Sequence, residues 1–103
     1  MIQCKFTDSA RRDLEDITNY TLKYWGKQQA IKYLDEIYSK IITLSSSPSI
    51  GTLRADIYHA LLSFPIKKHV LYYIKQEEGI IVVRILHKHM CHKLHNFPNL
   101  NKL

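Results

Sequence analysis

The first half of the chain combines one alternating stretch with two helical stripes. Residues 2–6, IQCKF, place Ile2, Cys4 and Phe6 on one face, which is typical of a half-buried β-strand. Thr7 or Asp8 can then cap a helix, because its side-chain oxygen accepts a hydrogen bond from a free backbone N–H. Side chains at spacings of three and four predict that this helix is amphipathic, and the stripe consists of Ala10, Leu14, Ile17, Thr21 and Tyr24.

Gly26 is expected to end the first helix, since glycine enters a left-handed C-terminal cap without a Cβ penalty. A second stripe follows at once and runs until SSSPSIG; it consists of Ala30, Tyr33, Leu34, Ile37, Ile41 and Leu44. Two helices with so short a connection form an antiparallel hairpin. We expect the aromatic residues of the hairpin to pack into its core, namely Tyr20, Tyr24, Trp25, Tyr33 and Tyr38.

The second half is rich in β-branched and aromatic residues and predicts three strands, over residues 60–66, 69–75 and 79–87. The continuous apolar run at 80–83 indicates a central strand with both faces covered. Tyr72 and Tyr73 point to opposite faces, so we expect one in the core and the other exposed. The order β-α-α-β-β-β predicts an α+β fold, a helical hairpin packed on a small antiparallel sheet. We interpret residues 1–103 as one domain, with 91–103 as a basic C-terminal tail.

Length and composition indicate the general class of protein to which the chain belongs. A chain of 103 residues with 46 % hydrophobic residues is typical of one globular domain. No apolar run approaches the roughly 20 residues that span a bilayer, and the N-terminus shows no leader pattern. Two cysteines, Cys4 and Cys91, form no disulfide framework, so we expect reduced thiols and a cytoplasmic protein.

The charge is concentrated in the second half. Residues 67–103 carry seven Lys/Arg and two Asp/Glu, a net charge of +5, whereas residues 1–66 carry eight and seven, a net charge of +1. A basic half favours an anionic partner, either nucleic acid or an acidic protein surface. A solvated face that keeps the protein soluble is the alternative.

Histidines crowd the stretch RILHKHMCHKLHN at residues 84–96, which contains His87, His89, His92, His95 and Cys91. A structural zinc site has four ligands, commonly as two separated pairs. This cluster has no second pair of ligands upstream. Lys88 and Lys93 would also repel a dication. We therefore predict no metal, and no motif for another cofactor is present.

The same stretch could serve in catalysis. RNA cleavage needs a general base, a general acid and a cation on the phosphate. Histidines could supply the first two near neutral pH, and Arg84 could hold a phosphate, with Lys67 and Lys68 as further donors. Arg84 could equally pair with a helix carboxylate. The acidic residues at the start of the first helix, Asp13, Glu15 and Asp16, suit the helix dipole, and we interpret them as structural.

Ordered motifs along residues 2–90 resemble one family. FTDSARRDLEDITNYTLKYWGKQQAIKYLDEI contains F-T-x-x-A, D-L-x-x-I-x-x-Y and W-G-x-x-Q-A-x-x-Y, and is similar to the N-terminal half of ParE-type toxins. SSPSIG, LLSFPIKKHVLYYI and the closing R-I-L-H of GIIVVRILHKHM continue the match. The chain therefore resembles the ParE/RelE toxin superfamily, whose fold has the same β-α-α-β-β-β order.

The resemblance implies the toxin of a bacterial type II toxin–antitoxin system, of the kind that stabilises plasmids. Its partner would be an antitoxin whose flexible tail folds over the toxin in a hetero-oligomer. ParE-type members bind and poison DNA gyrase, whereas RelE-type members cut mRNA on the ribosome. The W-G and R-I-L-H motifs favour the ParE type, and so a binding toxin without catalytic residues. One alternative is a metal-independent RelE-like endoribonuclease that uses Arg84, His87 and His92, and another is a non-toxic protein that only binds the antitoxin.

Charge alone suggests which residues bind the target: Lys67, Lys68, Arg84, His87, Lys88 and His89. A disordered antitoxin that folds on binding should cover exposed apolar surface and complement the basic half with carboxylates. We expect it over the helical hairpin and the outer strand. No membrane contact is predicted.

Overall fold

The computed structural model describes residues 3–90 and 97–102. Its elements are β1 Gln3–Phe6, α1 Asp8–Trp25, α2 Lys27–Ser46, β2 Thr52–Leu53, β3 Leu61–Ile66, β4 His69–Gln76 and β5 Gly79–His87, with short 3₁₀ helices at Pro48–Ile50 and Leu100–Lys102. The predicted α+β class and the helical hairpin on a sheet are confirmed. No helix in the described part of the chain is long and apolar enough to cross a bilayer.

The sheet differs from the prediction in its strand directions. Its five strands run in the order β1-β5-β4-β3-β2. The β3-β4-β5 meander is antiparallel, as predicted, but β1 pairs parallel with β5, from Gln3 beside Gly79 to Phe6 beside Val82. The sheet is therefore mixed, and the two-residue β2 is an additional edge strand.

Local chemistry sets the ends of the helices. Thr7 caps α1: its hydroxyl accepts from the Ala10 N–H at 3.1 Å and donates to the Val83 carbonyl at 2.7 Å, which ties the helix start to β5. Gly26 separates the helices with φ +87°, and its N–H donates to the Leu22 carbonyl. The predicted stop at Gly26 is confirmed, but ψ is 172°, so the glycine does not adopt the left-handed helical conformation that was expected of the cap.

Apolar side chains cover the sheet on both faces. The cluster on the helix side joins the predicted α2 stripe to the strands, and contains Ala10, Ile17, Tyr33, Ile37, Ile41, Leu44, Ile66, Leu71, Tyr73, Ile80, Val82 and Ile85. The opposite cluster contains Ile57, Leu61, Tyr72, Val83, Leu86, Phe97 and Leu100. The strand predicted to have both faces covered is β5.

Tyr72 and Tyr73 lie on opposite faces, yet both are fully buried. The prediction that one of them is exposed is wrong. The reason is a cover that periodicity did not show: the Phe97 ring packs edge-on against the Tyr72 ring, with centroids 5.0 Å apart. Part of the predicted C-terminal tail thus lies against the sheet, while residues 91–96, with Cys91, His92 and His95, fall outside the described residues.

Candidate binding cleft

A cleft of about 740 Å³ opens between the C-terminal half of α1, the β3–β4 turn and the end of β5. It gathers four of the six predicted target-binding residues: Lys67, Lys68, Arg84 and His87. The other two, Lys88 and His89, follow β5 directly, and the Lys88 N–H donates to the Lys68 carbonyl at 2.9 Å. The fold therefore brings the predicted residues of the β3–β4 turn and those at the end of β5 to the same end of the sheet.

Arg84 is held by Asp13 of α1. Its Nε and Nη2 donate to the two carboxylate oxygens, each at 2.8 Å, and the Ile85 backbone N–H donates to the same carboxylate at 2.9 Å. The side chains are 19 % and 11 % exposed. The carboxylate raises the pKa of Arg84 above its usual value, so this fork–fork pair fastens α1 to β5.

This pair bears on two sequence interpretations. Of the two roles considered for Arg84, pairing with a helix carboxylate is the one that the fold displays. Asp13 lies one turn or more inside α1 and is buried, so its role is to accept three N–H groups rather than to suit the helix dipole. The predicted apolar stripe contained Leu14 and not Asp13. In the structure Asp13 is buried, whereas Leu14 is only partly buried.

His69 was not predicted as a site residue. Its Nδ1 lies 2.6 Å from the Tyr33 hydroxyl, which also donates to the Ile66 carbonyl at 3.0 Å. Because the hydroxyl carries one hydrogen, we assign Nδ1–H of His69 as the donor to the Tyr33 oxygen. Burial, together with the electrostatic interaction with His87, lowers the pKa of His69 to about 4, so this imidazole is neutral at pH 7 and anchors α2 to the sheet.

The register of the β4–β5 hairpin could have revealed His69, because it pairs His69 with His87. Their ring centroids are 5.4 Å apart, and the His89 ring lies 5.1 Å beyond His87. The His87 Nδ1 accepts from the His89 backbone N–H at 3.2 Å. Within residues 3–90 and 97–102, no three His, Cys, Asp or Glu side chains are arranged to hold a metal ion.

The outer wall of the cleft is aromatic. Trp25 and Tyr20 line it and are 61 % and 60 % exposed, and the Lys68 ammonium lies 5.4 Å from the Trp25 ring centroid. The prediction that these residues pack in the core is wrong, as it is for Tyr24 and Tyr38; only Tyr33 is buried. Helical periodicity predicts which side chains share one face of α1. At the C-terminal end of α1, however, that face lies over the cleft and not over the sheet.

The charges at the cleft have both signs. Lys67 pairs with Glu36 at 2.9 Å and Arg84 pairs with Asp13, while Lys68 stands beside an aromatic ring. Asp16 also lines the opening. A cleft of this kind suits a partner that offers an apolar anchor together with a carboxylate or phosphate, more than it suits a purely anionic ligand.

Residues 4–90 match the model of a family described as the ParE toxin of the type II toxin–antitoxin system parDE. The chain belongs to the ParE toxin family. Curated relatives named Toxin ParE1 agree: one from Mycobacterium tuberculosis is 35 % identical over 83 residues, 80 % of this chain and 85 % of the relative. Another, from Caulobacter vibrioides, is 27 % identical over 86 residues, 84 % of this chain and 88 % of the relative.

A solved structure supports the fold of this ParE toxin. A chain of the chromosomal ParDE toxin–antitoxin system from P. aeruginosa superposes with a TM-score of 0.71, covering 84 % of this chain and 96 % of its own. At 19 % identity, this likeness concerns the fold. The family match and the relatives named Toxin ParE1 confirm the sequence-based identification of a ParE-type toxin.

Proposed function

We propose that this ParE toxin acts by binding and inhibiting DNA gyrase in the bacterial cytoplasm, and that a cognate antitoxin neutralises it. Family membership makes it a toxin of a type II toxin–antitoxin system. Gyrase as the target rests on the property of ParE-type toxins that the sequence resemblance implies. The geometry of the cleft supports a mechanism of binding rather than catalysis.

The Arg84–Asp13 pair carries this proposal. An endoribonuclease that used the Nε–Nη2 edge of Arg84 on the scissile phosphate would have to withdraw that edge from a carboxylate that also satisfies the Ile85 N–H. Breaking such a pair leaves a largely buried Asp13 carboxylate without its counter-ion, which is strongly unfavourable. His69 is neutral and committed to Tyr33, so it adds no acid at neutral pH. We therefore assign Arg84 a structural role.

The rim of the cleft supports target binding. Tryptophan and tyrosine are the residues most enriched at binding hot spots, and Trp25 and Tyr20 are exposed beside Lys68. Lysines at such a rim steer an anionic partner and speed its association. We propose Trp25 as the anchor and Lys68, with Lys88, as the steering charges, which adds Trp25 to the set inferred from charge.

The antitoxin would cover the apolar side chains that the helices expose. These are Tyr20, Leu22, Tyr24, Trp25, Ile31, Tyr38 and Ile42, all at least 44 % exposed. Leu53 on the edge strand β2 is also exposed. This distribution supports an antitoxin tail that lies over the hairpin and the outer strand, with carboxylates toward the basic half. A melting temperature that the candidate antitoxin leaves unchanged would contradict this placement.

The binding surface is tested by titrating full-length variants against purified gyrase holoenzyme. We expect Trp25→Ala to weaken affinity by about tenfold or more, as for a hot-spot aromatic residue, and Lys68→Ala to slow association with a smaller loss of affinity. Lys75→Ala is the matched control, because Lys75 is an exposed lysine at the other end of β4. Equal affinities for all three variants would remove the cleft rim from the proposal.

The endoribonuclease alternative has a separate test. If the toxin acts by binding, His87→Ala should keep inhibition within a few fold, since His87 is neither the proposed anchor nor one of the proposed steering charges. If His87 or His92 is an acid or base, its loss should lower RNA cleavage by about 10²–10⁴-fold. Cleavage of mRNA on ribosomes by the wild type, abolished by His87→Ala, would favour the alternative.

A further inference from the structure

The β3–β4 turn is strained at a position that suits glycine. Ile66 pairs with His69 across the hairpin, so Lys67 and Lys68 form a two-residue turn. Lys67 has φ +52°, and within the described ranges 3–90 and 97–102 it is the one residue other than glycine with a positive φ. A left-handed backbone is unfavourable for a residue with a Cβ, and strain of this kind is concentrated at functional sites.

Helix α2 holds one side of this turn. The Tyr33 hydroxyl donates to the Ile66 carbonyl at 3.0 Å and lies 2.6 Å from Nδ1 of His69. Glu36, on the same helix, accepts from the Lys67 ammonium at 2.9 Å. Tyr33 is buried, whereas the Lys67–Glu36 pair is partly exposed. The helix therefore fixes the strained residue, the residue before it and the residue that closes the turn.

Lys68 carries the contact from the turn into the cleft. Its backbone carbonyl accepts from the Lys88 N–H at 2.9 Å, and its ammonium lies 5.4 Å from the Trp25 ring centroid. A cation over an indole is attracted by the negative face of the ring. Because the backbone around Lys68 is fixed on both sides, its side chain limits the orientations of a ring that is 61 % exposed.

Glu36 takes part in this arrangement from outside the cleft. It lines a separate depression between α2 and the end of β3, whereas Trp25, Tyr33 and Lys68 line the cleft. Lys67 lines both openings, and its pair with Glu36 connects them. An effect of Glu36 on binding in the cleft would therefore pass through Lys67 and the turn.

We propose that Glu36 and Tyr33 are positioning residues for target binding: through the β3–β4 turn they hold Lys68 against Trp25 and so pre-organise the aromatic anchor. This inference rests on the proposed function, in which Trp25 is that anchor. A side chain that is ordered before binding loses less conformational entropy in the complex. The positioning residues therefore lengthen the life of the complex, whereas the charge of Lys68 speeds its formation.

Dissociation from gyrase holoenzyme should distinguish Glu36 from its neighbour Asp35. Both carboxylates line the same depression, so Glu36→Gln and Asp35→Asn remove equal charge from the same place. We expect Glu36→Gln to speed dissociation by about two- to threefold and Tyr33→Phe by about three- to tenfold, as for a side chain that must be immobilised on binding. Asp35→Asn should dissociate like the wild type. Equal dissociation rates for Glu36→Gln and Asp35→Asn would overturn the proposal for Glu36.

A double-mutant cycle separates positioning from direct contact, because Tyr33 itself lines the cleft. In the Trp25→Ala background, Tyr33→Phe should change the dissociation rate by less than about 1.5-fold, since the anchor on which it acts is gone. Undiminished acceleration in that background would overturn the positioning role. Tyr58→Phe is the control for a lost hydroxyl: it removes a 3.2 Å bond to Asn101 on the opposite face of the sheet and should leave dissociation unchanged.

A measurement on the free protein keeps this inference separate from the identity of the target. In the wild type, NOEs should connect the Lys68 ε-methylene to the Trp25 ring. They should be lost in Tyr33→Phe and weakened in Glu36→Gln, a change at a partly exposed pair, but not in Asp35→Asn. NOEs of wild-type strength in both variants would overturn the positioning role even if the wild type inhibits gyrase. If gyrase is not inhibited and the NOEs respond as expected, the target is wrong and the positioning of Trp25 by the turn is supported.

Discussion

Replacing Asp13 by alanine should reveal how strongly the α1–β5 connection depends on one carboxylate. The change removes the acceptor of three hydrogen bonds, two from the Arg84 guanidinium and one from the Ile85 N–H. Arg84 is left with a charge that the fold has largely withdrawn from water, and a backbone N–H loses its partner. We expect a large loss of stability with little change in the shape of α1.

The burial of the Asp13–Arg84 pair determines how large the loss of stability should be. Removing one member of a buried pair costs about 3–5 kcal/mol, and the 19 % exposure of Arg84 lets water compensate in part. The lower end, about 3 kcal/mol, is therefore expected. That is a large share of the ~5–15 kcal/mol that stabilises a typical domain. At ~4–8 °C for each kcal/mol, the melting temperature should fall by about 12–24 °C.

Urea unfolding of a double-mutant cycle measures this contribution. The cycle combines Asp13→Ala, Arg84→Met and the double variant, and the coupling free energy should be about 2 kcal/mol. The double variant should be more stable than Asp13→Ala, because it leaves no unpaired charge. Asp16→Ala, an exposed carboxylate on the same helix, should cost less than about 0.5 kcal/mol. A coupling free energy below about 0.5 kcal/mol would refute the structural role given to Arg84.

Three further changes test other contacts. The pKa of His69 is lowered from 6.5 to about 4, so its contribution to stability is present above pH 6.5 and is lost as the pH falls toward 4. For this partly buried ring we expect a contribution of about 1–2 kcal/mol, discounted for solvent. Urea midpoints should show this loss in the wild type, and a His69→Gln variant with the same pH slope would contradict the assignment. Gly51→Ala should cost about 2 kcal/mol by overpacking, because a Cβ there would overlap the Tyr73 hydroxyl, which donates to the Pro48 carbonyl at 2.6 Å. Gly26→Ala meets open space but puts a Cβ on a backbone with φ +87° and ψ 172°, a region that essentially only glycine adopts, and should cost about 1–3 kcal/mol. Thermal unfolding of Gly51→Ala that showed no loss of stability would count against the packing around Tyr73.

The local sequence pattern was sufficient to predict those elements whose structure is determined by residues close together in the sequence. The α2 stripe, the glycine between the helices and the three meander strands follow from side-chain period and turn chemistry, and all are present. The ends of β3, β4 and β5 agree with the prediction within one residue. The parallel pairing of β1 could not be read in this way, since its partner β5 lies more than 70 residues away.

The candidate site shows the same limit. Lys67, Lys68, Arg84 and His87 were predicted from charge and do line one cleft. The partners that define their chemistry come from α1 and α2: Asp13 for Arg84 and Glu36 for Lys67. The local sequence pattern does not show that the C-terminal end of α1 extends over a cleft, so Trp25 was predicted as a core residue. The cover of Tyr72 by Phe97 was missed because the C-terminal residues were interpreted as an interaction tail.

The most direct test of the central claim is a titration of the folded wild-type protein into a DNA gyrase supercoiling reaction, with release of linear DNA scored in the same gel. The account predicts loss of supercoiling together with trapped cleaved DNA, and the same behaviour for His87→Ala. Unchanged supercoiling by a folded, monodisperse sample would contradict gyrase as the target.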